Sequence, residues 1–238
     1  MQHEYLSRLS EPVQKFVHDV EEGAGVDIQV ILDYKQNDGG STGQGKLAVN
    51  INARSIKLFI PTNGYFPDGA VRHEVLHVLR FHVMGVPKLA LADSEEWDRA
   101  FSDAVGALDN AIEHVLIVPV ELQHHPERSN HWEAVMQDVC LGLQDIPVEE
   151  RRLAVCMHWT FLRHVLPQSY SIEILRDFAM KHGLLKEADE FADKFISLAD
   201  SKEDLVRLLL NKFPKYPRER VAFEYVNSRT GTIQKSIF

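Results

Sequence analysis

Cysteine is nearly absent from this chain. Cys140 and Cys156 are the two in 238 residues, each lies in a helical pattern, and they form no Cys-x-x-Cys pair. That argues against a disulfide framework or a thiolate metal site, and both thiols are expected to be free and buried. Positive charge is also scarce: 26 Lys and Arg stand against 35 Asp and Glu, for a net charge of −9. Nucleic acid and anionic membrane surfaces both need concentrated basic surface, so neither is expected as a partner. No run approaches the roughly 18 apolar residues of a membrane helix. The opening stretch, "MQHEYLSRLSEPVQKFVHDVEEG", lacks the basic start and apolar centre of a secretory signal. A cytoplasmic protein is therefore expected. What is present is an ordinary globular composition, 45% hydrophobic and 26% charged, long enough to bury a core without cross-links.

Along the chain, Leu6, Leu9, Val13, Phe16, Val17 and Val20 recur at helical spacing, which predicts a helix over 4–21 stopped by Gly23 and Gly25. Residues 26–34, 46–53 and 55–62 read as strands of a small mixed or antiparallel sheet, with a polar, glycine-rich loop at 35–45. That loop lacks the Gly-Lys-Ser/Thr ending of a phosphate-binding loop. Asp68 offers an N-cap for a helix over about 69–83, ended by Gly85 and Pro87. A second helix is expected over 94–118, with Phe101, Val105, Leu108, Ile112 and Val115 as its buried stripe and Pro119 closing it. A polar loop at 123–130 then leads into a nearly all-helical stretch to 212, in which Ser201 and Asp204 form a capping-box-like start. The tail reads as a β-hairpin turning at Ser228–Gly231. The expected class is α+β, with a metal-binding subdomain over 1–122 and a helical subdomain over 123–238.

The chemistry concentrates in "VRHEVLHVLRF", 71–81. Residues four apart on a helix share a face, so His73 and His77 present two imidazoles to one point. That suits two ligands of one tetrahedral zinc. Glu74 lies about 100° around from His73, placed to reach a water on the metal without binding it. Zinc lowers the pKa of such a water to about 7, and the carboxylate can take its proton as the water attacks a carbonyl. Apolar residues surround the trio on most sides of the helix, so the helix should be buried. Buried imidazoles and a carboxylate need partners, and a metal would supply them.

"HEVLH" at 73–77 resembles the signature of the zincin metallopeptidases. In those proteins a strand leads into the motif helix and a later helix commonly supplies the third ligand. "SIKLFIPT" and the 94–118 helix look like these parts, so the resemblance covers roughly 26–120. The metzincin continuation is absent: Arg80 stands in place of its glycine and Val83 in place of its histidine, with His82 one residue short. The gluzincin arrangement, with a distant acidic ligand, fits better. It implies peptide-bond hydrolysis at zinc, with a peptide or protein as substrate.

The third ligand is sought in "LDNAIEHVL", 108–116. Glu113 and His114 are both competent donors, but neighbours on a helix diverge by about 100°, so one of them is expected to bind. The resemblance implies the carboxylate, Glu113, with His114 as the alternative. The other, with Asp109 or Asn110, would support a ligating imidazole. His124, His125 and His131 fit a polar surface loop. His158, His164 and Tyr65 are weaker candidates for stabilising an oxyanion. The strand 55–62 is expected to offer an edge on which an extended substrate adds. The competing reading is a non-enzymatic helical interaction module whose metal site is structural or vestigial.

Overall fold

The computed structural model describes residues 1–38, 45–92, 98–214, 216–227 and 230–238. Parts of three expected features fall outside the described residues: 39–44 of the glycine-rich loop, 94–97 of the second helix, and 228–229 of the tail's turn. The chain forms two compact units, one of residues 1–92 with 222–238, the other of 93–221.

In the first unit the helix expected over 4–21 is two helices, α1 (His3–Leu6) and α2 (Glu11–Ala24). Pro12 gives the reason. Inside a continuous helix its ring would clash with the carbonyl four residues back, whereas in the first turn of a new helix its fixed φ is helical already. Val13, Val17, Val20 and Ala24 then bury one side of α2, and Gly25 closes it at φ 65°.

Strands β1 (Ile28–Leu32), β2 (Ala48–Asn52) and β3 (Ser55–Ile60) form a mixed sheet in the order β1-β3-β2. β1 runs parallel to β3, with Ile28 opposite Ile56, and β2 runs antiparallel to it, with Val49 opposite Leu58. Ile56, Leu58 and Ile60 are fully buried at every second position of β3, in one core with Ile28, Val30 and the buried side of α2. β3 is thus central and paired on both sides, which overturns the expectation that residues 55–62 offer an edge to substrate. Side chains engage the outer strands: the Gln2 amide donates to the Val30 carbonyl at 3.1 Å and accepts from the Val30 N–H at 2.8 Å, and Lys88 donates to the Ile51 carbonyl at 2.9 Å.

From β3 the chain reaches α3 (Asp68–Val78), which packs against α2. Asp68 is not its N-cap. Pro67 holds that position, and the Asp68 carboxylate accepts from the Ser10 N–H at 3.3 Å, tying the start of α3 to the start of α2. After Val78 the helix widens into a π turn, Leu79–Val83, in which the Met84 N–H reaches the Leu79 carbonyl at 2.9 Å. Gly85 ends it at φ 68°, as expected. A second sheet follows, in the order β4-β5-β6: β4 (Lys88–Leu91) with the tail's antiparallel hairpin, β5 (Val221–Asn227) and β6 (Thr232–Ile237).

The second unit is helical. Asp98 caps α4 (Arg99–His124) by accepting from the Phe101 N–H at 3.1 Å. Pro119 does not close this helix but sits within it. The buried Val115, Ile117, Val118 and Glu121 on both sides outweigh the one hydrogen bond that proline removes. Nor is 123–130 a loop: α4 runs to His124, Pro126–Arg128 make a short 3-10 turn, and α5 (Ser129–Gly142) begins at once. Then come α6 (Val148–Val165), α7 (Ser171–Lys181), α8 (Leu185–Ser197) and α9 (Lys202–Lys212). Ser201 caps α9 through the Asp204 N–H at 3.2 Å, as its spacing foretold. α6 packs against α4, α7 and α8. Cys140 and Cys156 are free and buried, and burial pushes their thiols up to about 11 and about 12. Among the described residues the fold is α+β and mostly helical, with nine α-helices and two small sheets. No helix among them is long and apolar enough to cross a membrane.

Candidate metal centre

Nine of the eleven residues of α3 are buried, as its apolar content predicts. At 100° per residue, Val71, Val75 and Val78 fall on one side of the helix, toward the first unit's core, and His73 and His77 fall nearly opposite. The two imidazoles are 5% and 6% exposed. Their centroids are 5.1 Å apart and their planes stand at 83°, while Phe81 lies nearly parallel to His77 at 6.1 Å. Glu74 is half-buried beside them. The helix therefore brings together the three residues that its sequence spacing singled out, two aromatic nitrogen donors on one face and a carboxylate at its border. The π turn begins two residues after His77; such turns recur at functional sites because they re-aim the side chains around them.

Two buried polar residues of this unit carried no signal in the sequence. His82, on the π turn, is 6% exposed. Burial, then the nearby Lys88 ammonium, hold its pKa below the ordinary value, opposed more weakly by the Asn52 backbone. Arg72 stacks its guanidinium on Phe16 at 4.4 Å, with its pKa lowered by burial. Both stand in runs that read as apolar helix, where a single polar letter gives no indication of which way it points.

In the second unit α4 carries the two candidates for a third ligand, and their surroundings differ. The Glu113 carboxylate is fully buried, and Lys202 Nζ on α9 lies 2.7 Å from it and 2.7 Å from the Asp109 carboxylate one turn earlier. His114, one residue on, is half-buried and meets the ring of Trp132 edge to face, at 5.0 Å and 69°. The two donors that α3 brings together are both imidazole, which suits zinc and its transition-metal neighbours and disfavours calcium or magnesium.

The remaining histidines are dispersed. His125 pairs with Glu127 at 3.2 Å, and His131 stands edge-on to Trp132 at 5.3 Å. Burial alone pushes His158, on α6, down to about 4. Tyr65 packs against the first unit's core. The sequence also gave no sign of Lys202, which reads as an exposed lysine at a helix start yet is 3% exposed. Comparison with known proteins places no relative beside this chain: no protein-family model, curated protein or solved structure matches it.

Proposed function

We propose that the chain is a metal-dependent hydrolase, most simply a zinc metallopeptidase of zincin type, in which His73, His77 and His114 hold the metal and Glu74 is the general base. The observation that carries this reading is the pair of buried imidazoles, 5.1 Å apart on one face of α3, with a half-buried carboxylate at the edge of that face. Assigning the third position to His114 rather than Glu113 follows from chemistry. The Glu113 carboxylate already neutralises a buried ammonium at 2.7 Å, and drawing it to a metal would strand that charge.

A bound zinc would polarise a substrate carbonyl and acidify the attacking water. Glu74 takes the proton from that water on its carboxylate as the new C–O bond forms. It then passes the proton to the leaving nitrogen as the C–N bond breaks, so that one water is consumed per peptide bond. Three protein ligands would leave one position of a tetrahedral zinc to water, the pattern of catalytic rather than structural zinc.

The test separates binding from chemistry. His73→Ala should abolish tight zinc binding, measured as metal content after dialysis of folded protein. Glu74→Gln should retain the metal and lower hydrolysis of an unbiased peptide library by at least about 10²-fold. Metal bound by a wild-type chain that cleaves nothing would instead favour a structural site in an interaction module.

A further inference from the structure

The helical unit contains a cavity bounded by the end of α5, the start of α6 and one side of α7. Its volume is about 390 Å³, within the roughly 300–1,000 Å³ usual for small-molecule sites. Arg151, near the start of α6, lines it. The Arg151 Nε–H donates to the Ile146 carbonyl at 2.9 Å, and Nη2 donates to the Gln144 carbonyl at 3.1 Å. Both acceptors are neutral, so the guanidinium is held in place without its charge being cancelled. Two of its N–H groups are used, which leaves Nη1 and the second N–H of Nη2 as a fork that suits a carboxylate. Other arginines of this unit differ: Arg128, Arg152, Arg163, Arg176 and Arg207 each meet a carboxylate at 2.6–3.1 Å. Lys181, in the last turn of α7, lines the same cavity and, like Arg151, forms no ion pair among the described residues. Asp177 is the one carboxylate in the lining, so its formal charge is +1 (2 − 1), in a chain whose net charge is −9. Half-buried Ile174 and Phe178 supply an apolar wall, with the His182 ring 4.4 Å from that of Phe178.

We propose that this cavity binds a small organic monoanion, a carboxylate carrying a short apolar body. Arg151 and Lys181 receive the carboxylate, and Ile174 and Phe178 cover the body. Hydrogen bonds between a guanidinium and a carboxylate are among the strong ones. A guanidinium already fixed by two backbone carbonyls also has little freedom left to lose on binding. A monoanion balances the charge of the lining, whereas a phosphate dianion would exceed it and stand against Asp177. Every residue of the cavity belongs to the helical unit, so the inference is independent of the metal assignment.

The test is calorimetric titration of the full chain with three probes: hexanoate, hexanamide and inorganic phosphate. Hexanamide keeps the body without the charge, and phosphate keeps a charge without the body. Hexanoate should bind, and the other two should bind at least about 10-fold more weakly. Arg151→Gln should weaken hexanoate by at least about 10-fold, the worth of a hydrogen bond to a charged group. Lys181→Gln should weaken it by less, and Asp177→Asn should tighten it, since the opposing charge is then gone. Circular dichroism checks folding. Arg151 also holds two carbonyls, so if Arg151→Gln does not fold, the opposite shifts expected of Lys181→Gln and Asp177→Asn decide. Four results would overturn the proposal: no hexanoate binding with a Kd below about 1 mM, equal binding of hexanamide, tighter binding of phosphate, or hexanoate affinity unchanged across the folded variants.

Discussion

Glu113 and His114 are neighbours in the sequence, and the interior divides them. Helical geometry turns them about 100° apart, and the fully buried member is the carboxylate, which meets the Lys202 ammonium. The two substitutions should therefore separate. Glu113→Gln is expected to keep its metal but lose stability on the order of 1.5–3 kcal/mol, the usual worth of a hydrogen bond to a charged group. His114→Ala is expected to stay folded and lose metal. Urea unfolding and metal content after dialysis, run on both variants, check this; metal lost from Glu113→Gln alone would return the third position to the carboxylate. At this scale the sequence was informative where spacing alone decides geometry. His73, Glu74 and His77 sit on one short helix, and no tertiary fact is needed to place them together. The choice between Glu113 and His114 depended on a lysine 88 to 89 positions later in the chain (202 − 114 = 88, 202 − 113 = 89), which no local pattern connects to them.

Among the elements, α4 and α9 are joined by a buried cluster of three charged groups. Lys202 opens α9 with its ammonium between Asp109 and Glu113. Lys202→Met would remove the cation and leave both carboxylates facing a thioether. The expected loss is about 3–5 kcal/mol, as for other buried ion pairs broken from one side. Pairing the change with Asp109→Asn and Glu113→Gln should restore part of it, since the uncompensated charges then disappear. Denaturant midpoints of the single and triple variants measure this, and a triple variant weaker than Lys202→Met would refute the account. Elements whose limits follow from their own residues were legible: the three strands of the first sheet, the Ser201 cap, the stop at Gly85, the terminal hairpin. Features set by distant partners were not. Alternation of side chains identifies β3 as a strand but is the same for a central strand and an edge, so its pairing with both β1 and β2 could not be read from it. Pro119 reads as a terminator because local cost is all that a sequence displays. The packing of α4 on both sides of it is tertiary.

On the scale of the molecule, the two units differ in how the chain builds them. The first gathers residues 1–92 and the C-terminal segment from 222, whereas the second is one continuous stretch, 93–221. A continuous helical stretch of that size, with Leu162, Leu175, Phe195 and Leu205 fully buried, should fold when expressed alone, because its core residues come from one uninterrupted segment. His158 gives it a signature. Burial lowers that imidazole from an ordinary 6.5 to about 4, so it is neutral in the folded state. Between those values the unfolded chain binds a proton that the folded chain refuses. The stabilisation is complete above pH 6.5 and is lost as the pH falls toward 4. Because the ring is half-buried, the loss attributable to it should be on the order of 2–3 kcal/mol. Urea unfolding at pH 7 and pH 5 should show a smaller drop in His158→Gln than in the wild type, in the full chain and in the 93–221 segment alike. An equal drop in the two proteins would mean that His158 is not the group responsible. A segment with no cooperative transition would mean that the second unit borrows its core from the first.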